Sequence, residues 1–200
     1  LGDVYKRQSH ELKTPLAGIR LLSDSILQTE NMDAQTVREF VGDIEQESER
    51  LARITENLLR LTRLDSGMLP EAQRVDLSSV MARVVRMLRL VAEEKQVDLS
   101  YEIRREGQTL ASEDEIHEII YNLTENAIKY NLPGGSVTVR VEARGEQSIL
   151  SVADTGIGIP EADRPNIFNR FYRVDKARSR EHGGSGLGLS IVHLSLIHIS

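Results

Sequence analysis

The sequence predicts two architectures in tandem: a long antiparallel α-helical hairpin, then an α+β domain with helices on one face of a mixed sheet. Three observations lead there. Apolar residues recur every three or four positions from Leu12 to Leu64, the period of one helix face. From Val97 onward, stretches that alternate apolar and polar residues are interleaved with another helical period, and alternation is the period of a half-buried strand. Trp and Cys are absent and aromatics make up only 4%, so the cores must be built mostly from Leu, Ile and Val.

The 200 residues suffice for one large domain or two small ones. With 25 basic against 31 acidic side chains the net charge is −6, which argues against a general nucleic-acid coat. The 40% hydrophobic and 28% charged content excludes a disordered or collagen-like chain. Lack of Cys excludes disulfides and thiol chemistry and fits a reducing compartment. No apolar run approaches the ~20 residues of a membrane span, and no secretory signal is readable.

Taking the elements in order, Leu12, Leu16, Ile19, Leu22 and Ile26 share one face of a first helix. Residues 29–33 (TENMD) read as a short turn. A second stripe runs through Val37, Val41, Ile44, Ser48, Leu51, Leu58, Leu61 and Leu64, widened by Phe40 and Ile54. Two long helices with a tight connection form an antiparallel hairpin. A lone hairpin cannot bury both stripes, so a second copy is expected, giving a homodimeric four-helix bundle. The alternative, packing on the rest of this chain, is disfavoured by length: helices of ~21 and ~30 residues would reach ~30 and ~45 Å.

Gly67 and Pro70 then stop the helix. Val75–Leu77 predicts a short strand, Ser78–Glu94 a helix, Val97–Ile103 a strand and Glu113–Asn131 a helix. Ser136–Arg144 and Ser148–Asp154 predict a hairpin about Gly145. The stretch 154–186 is rich in Gly, Arg and Pro and reads as a long loop, followed by a helix from about Leu187.

Four clusters could carry chemistry. Ser9-His10-Glu11-Leu12-Lys13-Thr14-Pro15-Leu16 opens the first helix. A zinc-protease motif needs a second His four residues after the first, and that residue is Thr14, so the metal reading fails. His10 lies off the apolar stripe and should face solvent. Taken alone, it is simply an exposed His. Its neighbours add more: Glu11 can accept the Nδ1 proton and leave Nε2 free to attack. Thr14 lies one turn on along the same side, and Pro15 cannot bond the Glu11 carbonyl, which predicts a bend.

The second cluster is Asn122-Leu-Thr-Glu-Asn126-Ala-Ile-Lys129-Tyr130-Asn131. Glu118, Asn122, Asn126 and Lys129 share the face opposite Ile116, Ile119, Ile120, Leu123 and Ala127. Amide oxygens suit Mg²⁺ and Lys129 could meet phosphate, although a solvated helix face is the equal alternative. The third is Asp154-Thr-Gly156-Ile-Gly158-Ile-Pro160 at a strand end. Its carboxylate could accept from an exocyclic amine such as that of adenine, and its glycines let a planar ligand approach; an ordinary Asp-Gly turn is the plain alternative. The fourth, Gly183-Gly184-Ser185-Gly186-Leu187-Gly188-Leu189, leads into a helix N-terminus, a phosphate cradle or else a hinge. Between the last two lies Ile167-Phe168-Asn169-Arg170-Phe171-Tyr172-Arg173. Arg170 and Arg173 could reach triphosphate oxygens, and the apolar residues fit a small helix on the core.

In order and spacing, SHELKTPL, NLTENAIKYN, DTGIGIP, IFNRFYRVD and GGSGLGLSIV resemble the H, N, G1, F and G2 boxes of the sensor histidine kinases of bacterial two-component systems. The resemblance spans about residues 9–192. It implies a dimerisation and histidine phosphotransfer domain over 9–66, a linker at 67–74, and an ATP-binding domain of the GHKL, or Bergerat-type, α/β sandwich over 75–192. His10 would be the phosphoacceptor, Glu11 its base, and Thr14 the residue that helps place water for dephosphorylating the partner. Asn126 would hold Mg²⁺; Asn122, Lys129 and Tyr130 would line phosphates and ribose. Asp154 would recognise adenine beside Gly156 and Gly158. Residues 155–185 would form the ATP lid, closed by the box containing Gly184, Gly186, Leu187 and Gly188. The implied partners are a second copy of the chain and a response-regulator receiver domain whose Asp takes the phosphoryl group.

ATP-hydrolysing GHKL relatives resemble one another in a Glu four residues before the Mg²⁺ Asn. Here that residue is Asn122, which leaves water poorly activated and preserves the γ-phosphate for His10. This disfavours a free ATPase; a dimerisation module with degraded ATP binding is the other alternative. The sequence departs from the family at Asn169, where Glu is common, and at both ends. Leu1–Gln8 lacks the apolar face of the helix that usually precedes the H box, and 193–200 (HLSLIHIS) replaces the family's continuation. Both ends read as translated adapter sequence. The piece itself is expected in the cytoplasm, with missing strands beyond its end and a membrane-anchored sensor upstream.

Overall fold

The computed structural model describes residues 2–67, 71–145, 147–174 and 185–199, with side chains from residue 9 onward except at 198. Helix α1 spans Gly2–Gln28 and α2 spans Ala34–Asp65. They pack as the expected hairpin. Asn31 takes the left-handed conformation (φ 64°) in the connection, where Asn is tolerated best among non-glycine residues. Asp33 caps α2, its Oδ1 accepting from the backbone N–H of Gln35 (3.0 Å) and Thr36 (2.9 Å).

The α/β part follows as β1 (Gln73–Asp76), α3 (Leu77–Glu94), β2 (Asp98–Arg105), β3 (Gln108–Ala111), α4 (Glu113–Lys129), β4 (Ser136–Arg144), β5 (Gln147–Asp154), a 3₁₀ turn (Arg164–Asn166) and α5 (Gly188–Ile199). Strand β2 runs parallel to β4, and β4 pairs antiparallel with β5 in register Val137 to Asp154 through Arg144 to Gln147. Strands β1 and β3 form a separate antiparallel pair. The inward residues of β4, Val137, Val139 and Val141, are fully buried beneath Val80, Met81, Val84 and Leu88 of α3 and Ile116, Ile119, Ile120 and Ile128 of α4. Ser112 and Glu115 form a capping box at the start of α4.

Several expectations need correction. Helix α1 begins at Gly2, not after Ser9. Tyr5, Lys6, Arg7 and Gln8 contain no breaker, and adding turns to an existing helix costs little compared with nucleating one. The carboxyl tail also continues α5 to Ile199. Ile191, Val192, Ser195 and Ile199 extend a stripe at helical spacing, with Val192 and Ile199 joining the sheet core. Strand β3 was not predicted: four residues after Gly107 carry no readable alternation. The small helix expected over 167–173 is instead the short 3₁₀ turn at Arg164–Asn166 followed by turns.

The hairpin stripe divides. Leu58, Leu61 and Leu64 are covered by this same chain, packing on Phe171, Leu187, Ile191 and Leu194. Leu16, Leu21, Leu27, Val41 and Leu59 remain exposed. Among the described residues no helix is long and apolar enough to cross a membrane.

Candidate active site

His10 is exposed on α1. The Thr14 hydroxyl donates to the His10 carbonyl at 3.0 Å. Pro15, inside the helix and buried, leaves the Glu11 carbonyl without its usual donor. The assigned helix runs through Pro15 without interruption. The Glu11 carboxylate accepts a charge-assisted hydrogen bond from Arg173 Nη2 at 2.9 Å. Arg173 lies in the long segment between β5 and α5, and its side chain is 6% exposed.

Helix α4 presents Asn122, Asn126 and Lys129. Asn122 Nδ2 donates to the Glu118 carbonyl at 3.0 Å. Its Oδ1 faces the start of α5 so closely that a Cβ on Gly188 would lie 2.6 Å from it. Glycine is what lets this helix N-terminus reach the Asn122 face. The Lys129 ammonium lies 5.6 Å from the Tyr130 ring centroid. Burial pulls the pKa of Lys129 down to about 8; the positive charges of Arg173, Lys95 and Arg53 push the same way and Glu125 opposes them.

At the end of β5 the exposed Asp154 carboxylate accepts from Gly156 N at 2.9 Å. The Ile157 N–H donates to the Tyr130 carbonyl at 3.1 Å, tying this turn to the end of α4. A Cβ on Gly156 would lie 2.5 Å from that carbonyl, so only glycine fits. Gly158 has φ 68° and open space around it. Gly186, at φ 70°, accepts from Phe171 N at 2.9 Å, while Phe171 itself holds φ 61°. That pairing staples the segment containing Arg170 and Arg173 to the start of α5. Gly184 and part of the expected lid lie outside the described residues.

The structure therefore groups Asn122 and Gly188 at one place, and Lys129, Tyr130, Gly156 and Asp154 around the end of α4. Three expected residues sit at the hairpin in this structure. Arg170 pairs with Asp65 at 2.6 Å and Arg173 with Glu11 at 2.9 Å. The Leu187 side chain is fully buried against Leu61 and Leu64. Sequence reasoning missed the third cross-domain pair, Arg60 with Glu118. Arg60, whose pKa burial lowers, is one of many charges on α2, and only the docked domain distinguishes it.

These groups suit a nucleotide. A partly buried ammonium whose charge is disfavoured by its surroundings gains most from an anion, and a helix N-terminus close by adds donors. Among the described residues no cluster of three or more His, Asp or Glu could hold a metal.

The fold and site define a protein with a helical phospho-acceptor hairpin joined to an ATP-binding α/β domain. Comparisons agree. Residues 7–67 match the His Kinase A (phospho-acceptor) domain, and residues 111–199 match the histidine kinase-, DNA gyrase B- and HSP90-like ATPase domain. The sensor-like histidine kinase SenX3 of Mycolicibacterium smegmatis is 37% identical over 198 residues, covering 98% of this chain and 51% of the relative. The crystal structure of full-length ShkA in complex with AMPPNP is similar at a TM-score of 0.68 and 26% identity, over 96% of this chain and 40% of that one. The Acinetobacter baumannii histidine kinase AdeS shares the fold at a TM-score of 0.74 and 20% identity, over 94% and 86%. The chain belongs to the sensor histidine kinases of bacterial two-component systems, and it spans about half the length of SenX3.

Proposed function

We propose that this chain is an ATP-dependent protein-histidine kinase that phosphorylates His10. One observation carries the reading: the exposed His10 adjoins a carboxylate, Glu11, that a side chain of the nucleotide domain grips at 2.9 Å. Acceptor and donor domains are thus already in contact. Asp154 receives the exocyclic amine of adenine, with Gly156 and Gly158 admitting the ring. Tyr130, Lys129, Asn122 and the α5 N-terminus line ribose and phosphates.

The His10 Nε2 lone pair attacks the γ-phosphorus in line. The N–P bond forms as the P–O bond to the β-phosphate breaks and ADP departs, while Glu11 takes the Nδ1 proton. Positioning and charge neutralisation supply most of the acceleration. Asn126 would be the residue that holds Mg²⁺, which when bound would supply further neutralisation of phosphate charge. Asn122 provides no carboxylate to activate water, so the γ-phosphoryl group is kept for His10.

The phosphoramidate then passes to an Asp of a response-regulator receiver domain, and Thr14 places water for the reverse, dephosphorylating activity. Exposed Leu16, Leu21, Leu27 and Val41 support a homodimer through the hairpin. In the whole protein this part works on the cytoplasmic side of a membrane-anchored sensor. Radiolabelled ATP tests the reading: it should yield an acid-labile, alkali-stable phosphoprotein, and His10→Gln should abolish it. An undiminished signal from that variant overturns the assignment.

A further inference from the structure

Contacts within one chain hold the nucleotide domain on its own hairpin, and they span the hairpin's open end. Arg173 reaches Glu11 on α1 at 2.9 Å, and Arg170 reaches Asp65 at the end of α2 at 2.6 Å. Arg60 of α2 pairs with Glu118 of α4. Between them runs an apolar seam, with Leu61 and Leu64 against Phe171, Leu187 and Ile191. Arg173 also lies near enough to Lys129 for its charge to be felt there. A single side chain therefore links the nucleotide domain to the residue next to His10.

A two-fold symmetric bundle of two such hairpins places the partner's outward-facing histidine across the bundle. The separation is about two helix diameters, ~20 Å. Arg173, sunk to 6% exposure in its pair with Glu11, cannot at the same time organise a histidine on the far side. We infer that autophosphorylation runs in cis, from the ATP held by one chain to His10 of that same chain. Arg173 is the positioning residue that brings the two together. The inference rests on the kinase reading and adds which chain receives the phosphoryl group.

Mixed dimers test it. A wild-type chain and an Asn126→Ala chain, carrying tags of different size, are co-expressed, purified through both tags and incubated with radiolabelled ATP. Cis transfer puts the label on the wild-type chain, by about tenfold or more over the Asn126→Ala chain. Label mainly or equally on the Asn126→Ala chain, when the Asn126→Ala homodimer itself takes none, overturns cis transfer while leaving the kinase reading intact. An unlabelled mixed dimer beside a labelled wild-type dimer overturns it too. If the wild-type dimer itself takes no label, the kinase reading falls and the inference with it.

The positioning role has its own readout. Arg173→Ala should slow phosphorylation at saturating ATP by about tenfold or more, with ATP affinity held within about twofold, and Arg173→Lys should recover part of the rate. A variant that loses affinity but keeps its rate would show that Arg173 binds phosphate and does not position the domain.

Discussion

Truncating Leu61 should undock the two domains without unfolding either. Leu61 is 2% exposed, and its neighbours are Leu64, Phe171, Leu187 and Ile191. None of these belongs to the buried cluster under the sheet. Leu61→Ala removes three carbons. At about 0.8 kcal/mol per methylene the transfer loss is roughly 2.4 kcal/mol, and incomplete collapse of the gap raises it to about 3 kcal/mol. Spent on the docking step, that shifts its equilibrium by roughly two powers of ten. The chain has no Cys, so spin labels on cysteines introduced at Glu56 and Glu94, both exposed, report the interdomain distance cleanly. With labelled chains diluted in excess unlabelled chain, so that each dimer carries one labelled copy, the parent should give one narrow distance population and Leu61→Ala a broad one, with the melting of the α/β domain nearly unchanged. Val139→Ala, in the fully buried centre of β4, should do the opposite: lower that melting by about 2 kcal/mol and keep the narrow distance. A narrow population in Leu61→Ala, or a melting loss matching that of Val139→Ala, would refute the division into two separable cores.

Two further outcomes follow from the site. Gly156→Ala places a methyl 2.5 Å from the Tyr130 carbonyl, so the turn must move off α4; calorimetric ATP titration should show at least about tenfold weaker binding, while the sheet core stays intact. Lys129 titrates at about 8 in the folded chain against 10.5 unfolded, so between those values the unfolded state binds more protons and stability rises with pH. The burial penalty is present in full below about pH 8. Nucleotide affinity runs the other way, weakening as pH climbs through about 8 and the ammonium loses its charge; Lys129→Met should flatten both profiles, read by denaturant melts and by ATP titration.

The hairpin, four of the five strands and helices α3 to α5 were legible because each carries a sustained period or a clear stop, such as Gly67 or Gly145. The site motifs were legible because backbone demands fall on particular residues, as at Gly156 against Tyr130 and Gly188 against Asn122. Strand β3 was hidden because its pairing with β1 is nonlocal, and four residues cannot display alternation. The hairpin contacts of Arg170, Arg173 and Leu187 were not legible, for one shared reason. Their neighbourhood is set by where one domain sits on another, and a charged or apolar side chain does not announce which distant surface it will meet. The same ambiguity let one stripe on α2 be assigned wholly to a second copy, although its last two turns serve the nucleotide domain.

The seam's composition bears on how the protein can cycle. Arg170 and Asp65 keep 31% and 46% of their side-chain exposure, so that pair contributes little net energy. Its use lies in fixing register. Arg173 is nearly buried in its pair with Glu11, and separating a buried pair is far more costly than separating an exposed one. Opening the apolar seam, which would hydrate both charges, therefore favours release of Arg173 at the same time. On the proposed kinase reading this coupling has a consequence: the docked domain holds the carboxylate beside His10 through Arg173, so freeing that carboxylate requires the apolar contacts of Leu61 and Leu64 with Phe171, Leu187 and Ile191 to open as well.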